Sequence, residues 1–89
     1  MKIEELKKKI IEDNINIKVI RAIVDEKIIL ANATGCYSDD INIWHIYSVS
    51  DRNHFRIVES GDEEVIIQHF YEMMKSMNET YKEYGDVWS

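Results

Sequence analysis

The sequence predicts an α+β fold, a two-layer domain with a four-stranded antiparallel meander covered by an N-terminal and a long C-terminal helix. Three observations support this prediction. Apolar residues recur every three or four positions near both ends of the chain, which is the helical period. Short β-branched segments with alternating polarity lie between them. The connections between those segments are short enough for hairpins, which favours antiparallel pairing. With 89 residues, the chain is expected to form one domain, residues 1–89.

The first half of the chain predicts one helix and two strands. Residues 2–13 place Ile3, Leu6 and Ile10 on one helical face. Residues 15–24 are β-branched and alternate, which predicts the first strand. After a polar turn, residues 28–33 predict a second, antiparallel strand. The unbroken run Ile28, Ile29 and Leu30 indicates that this strand is largely buried.

A loop and a hairpin are predicted next. Residues 34–40 form the main loop, because Gly35 permits unusual backbone angles and the following Ser-Asp-Asp favours turns. Residues 41–49 give the clearest strand pattern, and Trp44 is expected on the face away from the helices. A polar turn over residues 50–53 then leads into a returning strand over residues 54–59.

The long C-terminal helix is predicted to run from Ser60 to Gly85. Ser60 and Glu63 fit a capping box, and Gly85 can adopt the left-handed conformation that ends helices. One apolar face follows from helical spacing and comprises Ile66, Phe70, Met73, Met77, Tyr81 and Tyr84. A second row widens that face, either as further core or as an interface between two copies of the chain, and comprises Ile67, Tyr71 and Met74.

Charge is distributed unevenly along the chain. The net charge is −6; residues 1–33 contribute +1, and residues 34–89 contribute −7. An acidic surface repels nucleic acid, so direct DNA or RNA binding is not expected. The same surface can dock on a basic groove of another protein, or it can serve solubility alone.

The acidic residues of the second half are candidates for contacts with a partner protein. Carboxylates on a convex surface can occupy the positions that phosphates would take opposite Arg and Lys side chains. The alternative is a solvated polar face, which every amphipathic helix needs. The candidates lie in the main loop, in the hairpin turn and along the last helix: Asp39, Asp40, Asp51, Glu72, Glu79, Glu83 and Asp86.

Catalytic, metal and cofactor sites are not predicted. His45, His54 and His69 are the only imidazoles, and their spacing matches no metal-binding motif. Cys36 is the only cysteine, so it cannot form an internal disulfide, and a reducing cytoplasm is the expected compartment. We see neither a signal-peptide pattern nor an apolar run long enough to cross a membrane. We therefore expect a cytoplasmic protein that is not an enzyme, has no cofactor and binds no membrane.

Several residues between positions 51 and 84 carry a resemblance to a known family. Asp51 and Asn53 lie two apart in a turn, and an aromatic strand start, an Ile-x-Glu-Ser strand end and acids at a helix start follow. Phe70 and the Asn-Glu-x-Tyr run of residues 78–81 also fit. This stretch resembles the closing hairpin and helix of small acidic phage anti-CRISPR proteins that inhibit Cas9. The N-terminal helix has a counterpart of similar character.

The resemblance implies inhibition by occupation of the basic groove in which the enzyme reads the DNA motif beside its target. Asp51 and Asn53 would then face the enzyme. This chain departs from the family pattern at His54, where an acid is expected, and in having fewer acids after the helix. An additional strand also precedes Ile41 in the predicted order.

Three hypotheses about function follow. The first is a phage-type inhibitor that occupies a basic nucleic-acid-binding surface of a defence nuclease, for which a CRISPR effector is one candidate, with this chain a monomer or homodimer. The second is an immunity protein that neutralises a toxin. The third is a plain structural domain that associates with itself.

Overall fold

The computed structural model describes the backbone of residues 1–88 and the side chains of residues 1–81. It confirms the α+β class and the order of two helices around a four-stranded sheet. The strands lie side by side in chain order, β1-β2-β3-β4. The elements are α1 (Ile3–Glu12), β1 (Ala22–Val24), β2 (Thr34–Ser38), β3 (Trp44–Val49), β4 (Phe55–Gly61) and α2 (Glu63–Trp88).

The predicted antiparallel meander is wrong at its first pair of strands. β1 and β2 pair in parallel, with Ala22 opposite Thr34 and Val24 opposite Cys36. The other two pairs, β2 with β3 and β3 with β4, are antiparallel. A parallel pair cannot be closed by a tight turn, because the chain must return to the starting end of the sheet. Residues 25–33 make that return, so the strand predicted over residues 28–33 is absent and the main loop predicted over residues 34–40 contains β2.

The returning segment covers the face of the sheet opposite the helices, which we call the far face. The buried Tyr47 hydroxyl donates a hydrogen bond to the Glu26 carbonyl at 2.8 Å and accepts one from the Ile28 backbone N–H at 3.1 Å. The Lys27 ammonium lies 4.8 Å from the centroid of the Phe55 ring. The far face is therefore covered by irregular chain and aromatic rings, and both faces of β3 are buried.

The first strand is predicted over residues 15–24, but only its last three residues, Ala22–Val24, form a strand. The Asn16 side chain accepts a hydrogen bond from the Val19 N–H at 3.2 Å, and the Ile20 N–H donates to the Asn16 carbonyl at 3.2 Å. Such local hydrogen bonds compete with a sheet ladder and hold residues 16–21 in turns. The apolar side chains Ile15 and Ile20 still reach the core from these turns.

The hydrophobic core lies between the sheet and the two helices, on the face that we call the helix face. Ala22, Cys36 and Ile46 supply the sheet side. Trp44 also lies in this core, so its predicted position on the opposite face is wrong. The remaining buried members come from the turns, α1 and α2: Leu6, Ile15, Ile20, Ile66, Ile67, Phe70 and Met74.

Gly35 lies inside β2 for a reason unrelated to turns. Its backbone has no positive φ angle. A Cβ atom at this position would lie 2.5 Å from Tyr47 Cζ, because the Tyr47 ring packs directly on the glycine. The strand therefore needs glycine here to give the aromatic side chain room on the far face.

Replacing Gly35 by alanine is expected to destabilise the protein by about 1–3 kcal/mol or more, because Tyr47 is held by two hydrogen bonds and cannot withdraw cheaply. Chemical denaturation checks this. Gly61→Ala is the matched control, since its Cβ would meet Ile66 Cγ1 at an ordinary 3.6 Å. Equal losses in the two variants would contradict the proposed packing of Tyr47 on Gly35.

The ends of α2 differ from the prediction. Asp62, not Ser60, caps the helix: its side chain accepts a hydrogen bond from the Val65 N–H at 3.0 Å, and its carbonyl accepts one from Ile66. Gly85 does not end the helix, which continues to Trp88. Within residues 1–88, neither helix combines the length and apolar character that crossing a bilayer requires.

Candidate functional site

Ion pairing divides the surface into two parts. Among the side chains of residues 1–81, every Lys or Arg ion pair within 4.0 Å uses a lysine from the first nine residues: Lys2, Lys7 or Lys9. Their partners are Glu4, Glu12, Asp25, Glu63 and Glu64. Three of the seven Lys and Arg side chains of residues 1–33 therefore pair with acids around α1, in the turn after β1 and at the start of α2. The exposed acids Asp40, Asp51, Asp62 and Glu72 have no such partner among these residues.

The predicted loop candidates lie at opposite ends of β3. Asp39 and Asp40 lie in the β2–β3 connection, whereas Asp51 and Asn53 lie in the β3–β4 turn. A six-residue strand separates the two turns by roughly 20 Å. Asp51 is exposed, and Asn53 has a positive φ of 63°, a conformation that asparagine tolerates better than most residues. The candidate carboxylates therefore lie around the surface and do not meet in one pocket.

Asp39 differs from its exposed neighbours because its carboxylate organises the loop. One oxygen accepts hydrogen bonds from the Ile41 and Ile43 backbone N–H groups, each at 3.0 Å. The other accepts one from His45 Nε2 at 2.8 Å. A carboxylate engaged in this way is a structural element of the loop, and Asp40 is the member of the pair that is free to face a partner.

A chain of three polar side chains, Asp39–His45–Ser60, joins this loop to β3 and β4. His45 Nδ1 lies 2.6 Å from Ser60 Oγ. Because a carboxylate only accepts, Nε2 carries a proton, and in the neutral imidazole Ser60 then donates to Nδ1. The sequence alone does not indicate this hydrogen-bonded series, since its members lie six and fifteen residues apart and meet only when β3 pairs with β4.

Hydroxyl, imidazole and carboxylate in series is the arrangement of serine hydrolases, although the ring nitrogens are exchanged relative to that arrangement. Catalysis also requires donors for an oxyanion and a site that excludes water. Ser60 is solvent-exposed on the last residues of β4. The hydrogen bonds among Asp39, His45 and Ser60 tie the β2–β3 loop to the end of β4.

The Asp39 carboxyl is expected to make the fold sensitive to acid. The hydrogen bond from His45, followed by those from the Ile43 and Ile41 N–H groups, lowers the pKa of Asp39 below its ordinary value. A group with a lowered folded-state pKa contributes stability above its unfolded pKa of about 4, and that contribution is lost as the pH falls through the folded value. Thermal melts from neutral pH to acid check this: Asp39→Asn should lose less stability than wild type below about pH 4. Parallel curves would contradict it.

Of the acids on α2 that are predicted to contact a partner, those with described side chains are solvent-exposed. Glu72 and Glu79 are both solvent-exposed on α2, seven residues apart and therefore close to one side. Glu72 Oε1 accepts a long hydrogen bond of 3.4 Å from Gln68. Glu83 and Asp86 lie outside the residues whose side chains are described.

An open groove runs between β4 and α2, and we call it the β4–α2 groove. It has a volume of about 600 Å³. The Glu59 carboxylate lies at its strand side and pairs with His69 Nδ1 at 2.8 Å, with both side chains partly exposed. The groove combines carboxylates with thioether side chains, and it is lined by Glu59, His69, Glu72, Met73, Ser76 and Met77.

The residues predicted as a self-interface are placed mostly inside the molecule. Ile67 and Met74 are fully buried in the core, so neither side chain is available to a second copy. Tyr71 is half-buried, and its hydroxyl donates a hydrogen bond to the Asp13 carboxylate at the end of α1. These three residues therefore attach α2 to the core and to the end of α1.

Cys36 is fully buried in the core, and that burial raises the pKa of its thiol to about 11. A thiol with so high a pKa is almost entirely protonated at neutral pH and is a poor nucleophile. Among the described residues, no three His, Cys, Asp or Glu side chains lie close enough together to hold a metal ion.

Two marks of the anti-CRISPR resemblance have structural explanations. Phe70 is a core residue. The buried Asn78 side chain accepts a hydrogen bond from the Asn16 backbone N–H at 3.0 Å, which joins α2 to the turns before β1. A scan against protein-family models, a search of curated proteins and a search of solved structures each find no match to this chain.

Proposed function

We propose that this protein is a non-catalytic, acidic binding protein that blocks a nucleic-acid-handling partner by occupying the partner's basic surface. The observation that carries the proposal is the segregation of charge. Residues 1–33 carry a net charge of +1 and residues 34–89 carry −7. In the second part, Asp40, Asp51 and Glu72 face solvent without Lys or Arg partners among the described side chains. The resemblance of residues 51–84 makes a phage-type inhibitor of a CRISPR effector the specific form of this proposal.

The physical basis is electrostatic complementarity. Nucleic-acid-binding grooves present rows of Lys and Arg that normally contact phosphates. A protein with carboxylates on a convex surface is attracted to such a groove, and the attraction speeds association and selects against acidic partners. Net charge of −7 in residues 34–89 has the sign that this mode of binding requires.

An immunity protein that neutralises a basic toxin would use the same surface, so it is the alternative within this class. The genes beside this one distinguish the two, because an adjacent toxin gene favours immunity and a prophage cluster favours anti-defence. A self-associating domain built on Ile67, Tyr71 and Met74 has less support, since two of the three side chains lie in the core.

The test is direct binding to a panel of purified CRISPR effector nucleases and basic nuclease toxins, measured by calorimetry from about 50 mM to about 500 mM salt. We expect at least one member to bind at low salt, with an affinity that falls steeply as salt rises. Binding that is indifferent to salt, or no binding across the panel, would overturn the proposal.

A further inference from the structure

We infer that the outer edge of β4, together with the β4–α2 groove, seats an extended segment of the partner in which basic and apolar residues alternate. The basic character of that segment rests on the proposed function. Three structural features support the binding of such a segment: the free edge of β4, a bulge that orients Glu59, and the composition of the groove.

β4 is the longer of the two edge strands. It has seven residues, against three in β1 at the other edge, and within the described chain it pairs with β3 on one side only. An edge strand presents backbone N–H and C=O groups that can pair with a further strand. Extended peptides bind other proteins in this way, with the backbone giving affinity and alternate side chains giving specificity.

A β-bulge aims Glu59 into the groove. Tyr47 pairs with Ile57, but the preceding residue Ile46 pairs with Glu59, so Val58 is an extra residue in β4. Since Ile46 points to the helix face, its partner Glu59 does too. Without the extra residue, Glu59 would point to the far face, away from His69 and Glu72. Bulges commonly redirect one side chain in this manner.

The groove suits Lys and Arg side chains. Their aliphatic stems can lie on Met73 and Met77, while their cationic heads reach the Glu59 and Glu72 carboxylates. On the far face, Ile57 is 40% exposed and would contact apolar side chains of an added strand. Successive residues of an extended segment point to opposite faces, so one strand satisfies both requirements only if basic and apolar residues alternate.

Arg56 restricts where along β4 the basic residue of the partner's segment can lie. It lies on the same face as Glu59, opposite Ser48 in the sheet, and it would repel a basic side chain placed beside it. The basic residue must therefore lie toward the Ser60 end of β4, next to Glu59 and the first half of α2. This end of the strand is also the one that the Asp39–His45–Ser60 chain holds in place.

The experiment is an amide-resolved NMR titration of the full chain with an acetylated heptapeptide in which valine and lysine alternate. We expect shifts concentrated at β4 and along the groove. Glu72→Lys should weaken binding roughly tenfold or more, whereas Glu5→Lys, which alters charge equally at an exposed site outside the groove, should not. A peptide of the same composition with its lysines in one block should bind more weakly.

Two results would overturn the inference. One is equal weakening by Glu72→Lys and Glu5→Lys, and the other is shifts spread over the loops at both ends of β3. In either case the peptide is attracted by the acidic surface as a whole and not by the β4–α2 groove. The proposed function would then remain, and the groove would have no special part in it. Localised peptide binding at β4 in a protein that ignores the whole nuclease panel would instead support the groove and overturn the proposed function.

Discussion

Replacing Phe70 by alanine is expected to lower the free energy of unfolding by about 3–5 kcal/mol. Phe70 is fully buried where α2 packs on the sheet, and its removal leaves a cavity among neighbours that pack from several elements. Folded domains are stable by only about 5–15 kcal/mol, so this loss is a large part of the total. Urea unfolding followed by circular dichroism measures it.

Val65→Ala is the matched control for that variant. Val65 lies on the same helix but is 46% exposed, so its truncation should cost less than about 1 kcal/mol. Similar losses in the two variants would contradict the assignment of the helix face and, with it, the core described here.

Reversing four exposed acids to lysine is expected to abolish most partner binding while leaving the fold intact. The set is Asp40, Asp51, Glu72 and Glu79, all of which lie outside the core cluster. Exposed substitutions usually change stability by about 0.5 kcal/mol or less. Each charge-assisted contact that is desolvated in the complex contributes roughly 1.5–3 kcal/mol, so loss of two such contacts would weaken binding at least a hundredfold. Calorimetry beside thermal melting separates affinity from stability.

A second set of four reversals controls for total charge. Glu4, Glu5, Glu12 and Glu26 are also exposed, and their reversal changes the net charge equally, but they lie in the near-neutral first third of the chain. This variant should retain most of the wild-type affinity. If both sets weaken binding equally, the long-range field alone explains the attraction, and the surface of the second half has no special role.

The elements that depend on local pattern were predictable. Both helices follow from the 3.6-residue period, and the β3–β4 hairpin follows from alternation on either side of a polar turn, where Asn53 takes the positive φ that such turns require. The β1–β2 pair was not predictable in this way. Parallel pairing depends on where the returning chain packs. That segment is held by distant residues such as Tyr47, which follows it by about twenty residues.

Gly35 illustrates why a residue type alone misleads. As a sequence feature it indicates a turn, but its role is to admit the Tyr47 ring beside a regular strand. Gly35 indicates a turn and lies in a strand, whereas Ile28, Ile29 and Leu30 indicate a strand and lie outside any strand. Their run indicates a buried strand, yet each is between 42% and 49% exposed, because irregular chain crossing a sheet cannot turn all of its side chains inward.

For the candidate site, charge was readable from the sequence and geometry was not. The excess of acid in residues 34–89 needs only counting. That Asp39 is used within its own loop, and that Glu59 points into a groove, depends on a hydrogen-bonded histidine and on a bulge, which appear only once β3 and β4 are paired.

Competition with DNA tests the central claim most directly. A nuclease from the binding panel is loaded with a fluorescent DNA duplex, and this protein is then titrated in while fluorescence anisotropy is recorded. We expect wild type to displace the duplex completely, whereas the variant with Asp40, Asp51, Glu72 and Glu79 reversed should not. A ternary complex of nuclease, DNA and this protein would contradict the proposed function, because the two ligands would then occupy different surfaces.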